Sequence, residues 1–349
     1  MSQPANTITA LKRISWIDIC RGLGMILVLY GHVFTDDSQR YLIYSFHMPL
    51  FFFLSGLVFK PVLNKPLKTI IIKHFKQLLL PYFAFAIFTY LFALLTNPLR
   101  DLTPGGIAWQ LFGILYGSGN NGMLGFNVVL WFLPCLFITK LTFALITRKV
   151  LSNKTIGLIL AASGFAGYLF SQFLPWIKLP FGFEIALSAM VFFGLGYLWK
   201  VRKYALHALK PYRLPIMVVA MIITVGAAYT NYHLNGTQID MRVNRLNNVF
   251  LFYIGAISGI ATWVMLSQLI RKSALLEYIG QNSMVIFAWH YLIFVNLQAI
   301  MSVIASDEFI NSLKMILPTF YVLMATTIIL ISRKMMLMLK NAYRFLPLN

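Results

Sequence analysis

Tyr44-Ser45-Phe46-His47-Met48-Pro49-Leu50-Phe51-Phe52-Phe53-Leu54-Ser55-Gly56 sets a single histidine inside an otherwise apolar stretch. Followed outward to Tyr41 and Phe59, the stretch becomes long enough to cross a bilayer as a helix. The run before it, Trp16 to Phe34, has membrane length too and contains both Arg21 and His32. An ionisable group at such depth is costly in lipid, so it faces a protein interior or a water-filled cavity and marks function. These two runs therefore predict a helical membrane bundle and point to where its chemistry lies.

The remaining sequence agrees. Of 349 residues, 59% are hydrophobic and only 11% charged, and the mean hydropathy is +0.76, far from the soluble average. Apolar runs of about 17 to 25 residues also fall near Leu78 to Thr96, Leu124 to Ile146, Thr155 to Phe173, Ile185 to Trp199, Leu214 to Thr230, Val249 to Leu269, Ser283 to Ile304 and Met315 to Ser332. The expected fold is thus all-α, a polytopic membrane protein of about ten transmembrane helices. A single membrane-embedded domain over residues 1–349 is expected, with cytoplasmic tails of about 1–14 and 333–349.

A net charge of +20 would suggest nucleic acid in a soluble chain, but the positions of the charges give another reading. With the N-terminus inside, the outer segments hold only Arg40, Arg100, Lys178, Arg242, Arg245 and Lys314, which leaves 23 of the 29 basic residues inside. Basic residues gather on the cytoplasmic side of membrane proteins. Both termini are therefore expected in the cytoplasm, with the chain multi-pass in the inner or plasma membrane and no nucleic-acid partner. Cys20 and Cys135 lie within spans without metal-ligand spacing, so packing thiols are expected, with neither a disulfide nor a metal. Asp18 and Arg21 interrupt the apolar part of the first run, which is expected to stay as a helix and not to be a cleaved signal. Ile107 to Tyr116 is too short to span and reads as an interfacial or re-entrant helix. Gly117 to Gly122 reads as a flexible loop, and Asn231 to Asn248 as either a solvated loop or a sugar-binding rim.

Arg21 and His32 are eleven residues apart, about three helical turns plus 20°, so they share one face, separated by roughly 16 Å along the axis. Asp18 and Asp36 fall on the same stripe. Asp18, three residues before Arg21, is placed to pair with it. A lipid-facing arginine at depth costs about 2.5 to 3.5 kcal/mol, so the stripe should line the interior. His47 lies at a depth similar to His32 across a short hairpin. It could face the same cavity, or satisfy carbonyls freed by Pro49. In the ninth run Ser283 and His290, seven apart, share a face and are cavity candidates. Glu184, at the outer rim, is grouped with them and with Asp36.

Taken together, Asp18-x-x-Arg21-Gly22, the ten residues between Arg21 and His32, and Ser45-Phe46-His47-Met48-Pro49 through Gly56 resemble acyltransferase family 3, integral membrane acyltransferases, in the branch similar to fucose 4-O-acetylases. Leu80-Pro81-Tyr82, Leu130-Trp131-Phe132-Leu133, Ala186 to Gly194 and Gly280-Gln281-Asn282-Ser283 leading to His290 extend the likeness over nearly the whole chain. The resemblance implies an acetyl-CoA donor on the cytoplasmic side, a sugar-hydroxyl acceptor, and a required arginine and histidine at the positions of Arg21 and His32. Where many members carry arginines before the third helix, this chain has Lys73, His74 and Lys76. Lysine binds phosphate as a point charge without the bidentate fork of arginine.

A sugar hydroxyl is a poor nucleophile at neutral pH, so its acylation wants a base within hydrogen-bond reach. Neutral imidazole suits that task. The sequence thus predicts an O-acetyltransferase acting on a cell-envelope glycan or lipid-linked precursor. His32 would be the base, Arg21 would orient or attract the donor, and Lys73 and Lys76 would meet the CoA phosphates at the inner mouth. Membrane lipid surrounds the whole. A transporter or flippase of a lipid-linked sugar, or a structural subunit of a polysaccharide export complex, would carry a similar polar stripe.

Overall fold

A computed structural model describes residues 13–34, 36–61, 65–96, 104–149, 152–201, 210–306 and 316–344. The expected N-terminal tail through residue 12, the last residues 345–349 and the segments 202–209 and 307–315 lie outside the described residues. The chain is helical almost throughout. Its elements are α1 (Ser15–Val33), α2 (Asp37–Tyr44), α3 (His47–Leu57), α4 (Leu67–His74), a π-helical turn (Phe75–Leu79), α5 (Leu80–Thr96), α6 (Pro104–Tyr116), a 3₁₀ turn (Val128–Trp131) and α7 (Phe132–Lys149). Then come α8 (Asn153–Phe173), α9 (Phe183–Val201), α10 (Arg213–Asn235), α11 (Val249–Ile270), α12 (Ala274–Gln281), α13 (Ser283–Ile304) and α14 (Leu317–Arg344).

Among the described residues eight helical stretches are long and apolar enough to cross a membrane, and they coincide with eight of the ten expected runs. The run from Tyr41 to Phe59 departs from expectation: it is two helices, broken at Ser45 and Phe46, where Phe46 takes φ −143° and ψ −16°. Pro49 explains the break. It has no N–H to give to the carbonyl four residues earlier, and its ring crowds that carbonyl. The carbonyls at the end of α2 find other donors: Ser45 Oγ donates to Leu42 (2.7 Å) and His47 Nδ1 lies 2.8 Å from the carbonyl of Ile43. The run from Met315 to Ser332 becomes the longer α14, whose second half carries Arg333, Lys334, Lys340 and Arg344.

The third long stretch begins earlier than its apolar run, because the basic segment before it is helical as well. Ile70, His74, Leu78, Tyr82, Ala86 and Tyr90 are all buried, a stripe with a spacing of four. A straight α-helix of 3.6 residues per turn would rotate such a stripe steadily away from the bundle. The π-helical turn takes up an extra residue and keeps the later members facing inward. It arises where Pro81 cannot donate to the carbonyl of Gln77, and Leu80 N–H bonds the carbonyl of Phe75 instead.

In a bilayer, apolar burial gives little drive for helices to associate, so close backbone approach through small residues takes its place. Two such clasps hold the site. On α1 and α12, a Cβ at Gly22 would strike the carbonyl of Leu276, and one at Gly280 would strike the carbonyl of Asp18. On α3 and α9, Gly56 lies against the carbonyl of Phe193 and Gly196 against the carbonyl of Phe53. Each pair is reciprocal, which draws α1 onto α12 and α3 onto α9. Cys20 and Cys135 are buried free thiols.

Candidate active site

Helix α1 carries the two central groups at opposite ends. Near its start Asp18 is buried. Its carboxylate lies 3.6 Å from the Arg21 guanidinium and accepts from Gln281 Nε2 at 3.3 Å. The longer of these contacts leaves most of the guanidinium's five donors unspent. Arg21 opens onto a cavity of about 150 Å³ whose walls are otherwise almost wholly apolar, among them Met25, Val28, Phe51, Leu54, Leu133 and Met284, with Ser55 and Ser283 adding hydroxyls.

At the other end of α1, half-buried His32 lies in a cluster of rings. Its imidazole centroid is 5.1 Å from that of His290, 6.4 Å from Tyr44 and 6.2 Å from Tyr291, while the rings of Tyr44 and His47 are 4.9 Å apart. His32 and His47 share a second, smaller cavity of about 30 Å³ with Tyr44, Trp131, Asp240 and Arg242. Met48 and Phe287 line both cavities. The two spaces thus lie on either side of these two side chains, which form the neck between them.

The hydrogen bonds fix how two of these histidines present themselves. His47 Nδ1 faces the Ile43 carbonyl and His290 Nδ1 the Ile286 carbonyl, at 2.8 and 3.1 Å. A carbonyl can only accept, so each ring carries its proton on Nδ1 and leaves Nε2 as a lone-pair acceptor. The Nε2 atom of His290 is buried with no hydrogen-bond partner among the described residues. Two imidazoles joined by one N–H···N bond of about 2.9 Å would have their centroids at about the spacing seen between His290 and His32. No hydrogen bond joins the two rings in the structure, but at this spacing His290 Nε2 can accept one from a His32 nitrogen once His32 gains a proton.

The second cavity is roofed by a segment that reads in sequence as a flexible or solvated connection and is in fact packed. Gln238, Asp240, Met241, Asn244 and Leu246 are buried, as are Ser118 and Asn120 of the glycine-rich turn. Arg242 ties them together: Nη1 donates to the Gly119 carbonyl (2.8 Å), Nη2 to Asp240 Oδ2 (3.0 Å), and its own carbonyl accepts from Asn120 Nδ2 (3.1 Å). Lys178 Nζ donates to the Val243 carbonyl at 2.7 Å. Burial lowers the pKa of this ammonium from its ordinary value, and nearby Glu184 and Asp240 partly offset that.

The other expected site residues are distributed as follows. Ser283 lines the Arg21 cavity, at the start of α13, and not the histidine cavity. Asp36, expected on the cavity stripe, caps α2 by accepting from Ser38 N–H at 2.9 Å. It lines neither cavity, because α1 ends at Val33 and the helical phase that would align it stops there. Glu184 also lines neither; it is buried at the start of α9 and accepts from Leu179 N–H at 3.0 Å. Lys73 and Lys76 are exposed on α4 and the π-helical turn. Sequence reasoning missed Lys140, which it counted only as a topological charge. On α7 this lysine donates to Gln77 Oε1 at 3.2 Å and lies within electrostatic range of both Lys73 and Arg21. Its one sequence signal is a lone cation several residues inside an apolar run. Asp240 and Arg242 fall in the Asn231 to Asn248 stretch, which the sequence left as either a solvated loop or a sugar-binding rim.

A bundle of membrane-length helices carrying an Arg-to-His shaft belongs to a recognisable class. Residues 14–333 match the family described as the acyltransferase domain of acyltransferase family 3. The chain belongs to that family and is a membrane acyltransferase. No curated protein and no solved structure matches it.

Proposed function

We propose that this protein transfers an acetyl group from cytoplasmic acetyl-CoA to a sugar hydroxyl of a cell-envelope glycan or lipid-linked precursor at the plasma membrane. The observation that carries the reading is the pair of cavities meeting at Met48 and Phe287, one opened by Arg21 and the other by His32. The apolar cavity beside Arg21 suits the pantetheine arm of the donor, and the cations Arg21, Lys73 and Lys140, the first two within electrostatic range of the third, suit the phosphates. The excess of basic residues at that end supports a cytoplasmic face for it and for both termini.

His32 acts as the base. As the acceptor oxygen attacks the thioester carbonyl carbon, its proton passes to the free nitrogen of His32. The C–S bond then breaks, and the departing thiolate takes the proton from the imidazolium, so an O-ester and CoA leave and His32 returns to neutral. His290 holds the base through the opposite nitrogen. Trp131 and Tyr44 offer flat apolar faces, and Asp240 an acceptor, for the sugar ring.

The test uses purified protein in sealed vesicles of envelope lipid extract, with labelled acetyl-CoA supplied only at the face bearing Lys73 and Lys140. Acceptor-dependent CoA release and labelled glycan are expected, and both should vanish in His32→Ala. Glycolipid flux without CoA release would instead support a transporter.

A further inference from the structure

The two cavities differ in size and in wall chemistry, and the residues they share are neither polar nor small. Met48 and Phe287 are each more than nine-tenths buried, at 7% and 8% exposure. Phe287 rests edge-on against Phe132 at 5.6 Å and lies 6.1 Å from the His290 ring. Met48 follows directly on His47, whose imidazole is pinned to the Ile43 carbonyl, so the backbone on that side of the neck is held. Above the neck the space is about 30 Å³. Below it the space is about five times larger, at about 150 Å³. A group moving from the Arg21 side toward His32 therefore has to pass between Met48 and Phe287 before it enters the smaller space.

We infer that Met48 and Phe287 determine specificity by measuring the acyl group: a two-carbon acyl passes the neck and reaches His32, and longer acyl chains are held back. This rests on the donor approaching from the Arg21 side, as proposed above. The neck is built for discrimination by fit. Phe287, with two side-chain torsions and an aromatic neighbour, is the rigid wall, and Met48, unbranched and adaptable, is the side that gives. A pocket discriminates each added methylene by about 10- to 200-fold. A neck that must be passed before the chemistry applies the same penalty to every longer donor.

The experiment compares acetyl-, propionyl- and butyryl-CoA as donors to the vesicle glycan, in the full-length protein and in Phe287→Ala and Met48→Ala. Widening should raise the ratio of kcat/KM for butyryl- over acetyl-CoA at least about tenfold. A second readout is independent of turnover. With Cys20→Ser and Cys135→Ser as background, Val129→Cys sits above the neck, and an impermeant sulfonate thiol reagent is added at the Lys73 face. Labelling should be at least about tenfold faster with Phe287→Ala than with Phe287 in place. Whichever neck variant reaches the membrane at normal abundance decides the matter, since both make the same prediction. If such a variant keeps the wild-type donor preference and the wild-type labelling rate, the neck is not the ruler. If the wild-type protein uses none of the three donors, the proposed function falls, and the labelling rates alone judge the neck.

Discussion

Replacing His290 with phenylalanine should separate stability from activity. The Nε2 atom of His290 is buried without a partner among the described residues, and a buried unsatisfied acceptor costs about 1 to 3 kcal/mol. Phenylalanine removes that atom and enters a site already bordered by the rings of Phe287 and Phe294, at 6.1 and 5.6 Å. The Ile286 carbonyl loses the Nδ1–H contact at 3.1 Å but keeps its place in the helical ladder. Relief of the orphaned acceptor and the strain of a slightly larger ring are of similar size, so the melting temperature should hold or rise. The reaction loses more. Once His32 has taken the acceptor's proton it is charged, and the hydrogen bond to His290 Nε2 then contributes about 1.5 to 3 kcal/mol. At about 1.4 kcal/mol per decade, kcat should fall about 10- to 100-fold, with the KM for acetyl-CoA unchanged because the interaction is made only as charge develops. Thermal melting of the purified protein by circular dichroism and initial rates of CoA release measure the two quantities. A kcat within about twofold of wild type would refute the role of His290 in holding the base. A large fall in melting temperature would show that Nε2 is paired in the folded protein.

His32→Ala should lower transfer by about 10² to 10⁴ at normal abundance in the membrane, measured as labelled glycan; near-normal transfer would remove it as the base. Lys73→Ala and Lys140→Ala should each raise the KM for acetyl-CoA while kcat stays near wild type, since a phosphate contact is made before and during transfer alike; a fall in kcat alone would contradict that. Gly56→Val should drive α3 from α9, because even its Cβ meets the carbonyl of Phe193, and immunoblots of membranes should show the protein depleted; wild-type abundance would mean the clasp is dispensable. Ser38→Cys, in a background of Cys20→Ser and Cys135→Ser, should react with impermeant thiol reagents in intact cells; labelling only after permeabilisation would invert the orientation.

The sequence carried the parts of this site that lie on one helix. Arg21 and His32 could be set on one face by counting residues, and His47 and His290 by depth and spacing, because helical geometry is local and regular. What depends on contacts between distant segments was hidden. Lys140 joins Arg21 and Lys73 only when α7 packs beside α4. For Asp240 and Arg242 the choice between a solvated loop and a sugar-binding rim stayed open, because the burial of Met241 and Leu246 that turns the loop inward is a property of the assembled bundle. Asp36 was misplaced for a local reason: the helical phase was continued past Val33, where the helix ends. The break between α2 and α3 had a visible cause in Pro49, but the unbroken apolarity around it favoured one continuous helix. The His47 ring lines the cavity, and its Nδ1 meets the Ile43 carbonyl at the break before α3, not the Ser45 carbonyl that Pro49 leaves without its donor.

The clasp between α1 and α12 also bears on how the protein is made. Gly22 and Leu276, or Asp18 and Gly280, are neighbours in the bundle but lie about 250 residues apart along the chain. During synthesis α1 enters the membrane with Arg21 and Asp18, and the other residues of its site are still to come. Gln281, Ser283, Phe287 and His290 all emerge after about four-fifths of the 349 residues have been made, at roughly 5 to 20 residues per second. The nascent enzyme therefore holds an arginine in waiting for many seconds, and no partial chain possesses a shaft through which a donor could be hydrolysed. The base and its holder come together only once α13 is in place, and α14 then packs on both α1 and α13, so the site is assembled late in synthesis.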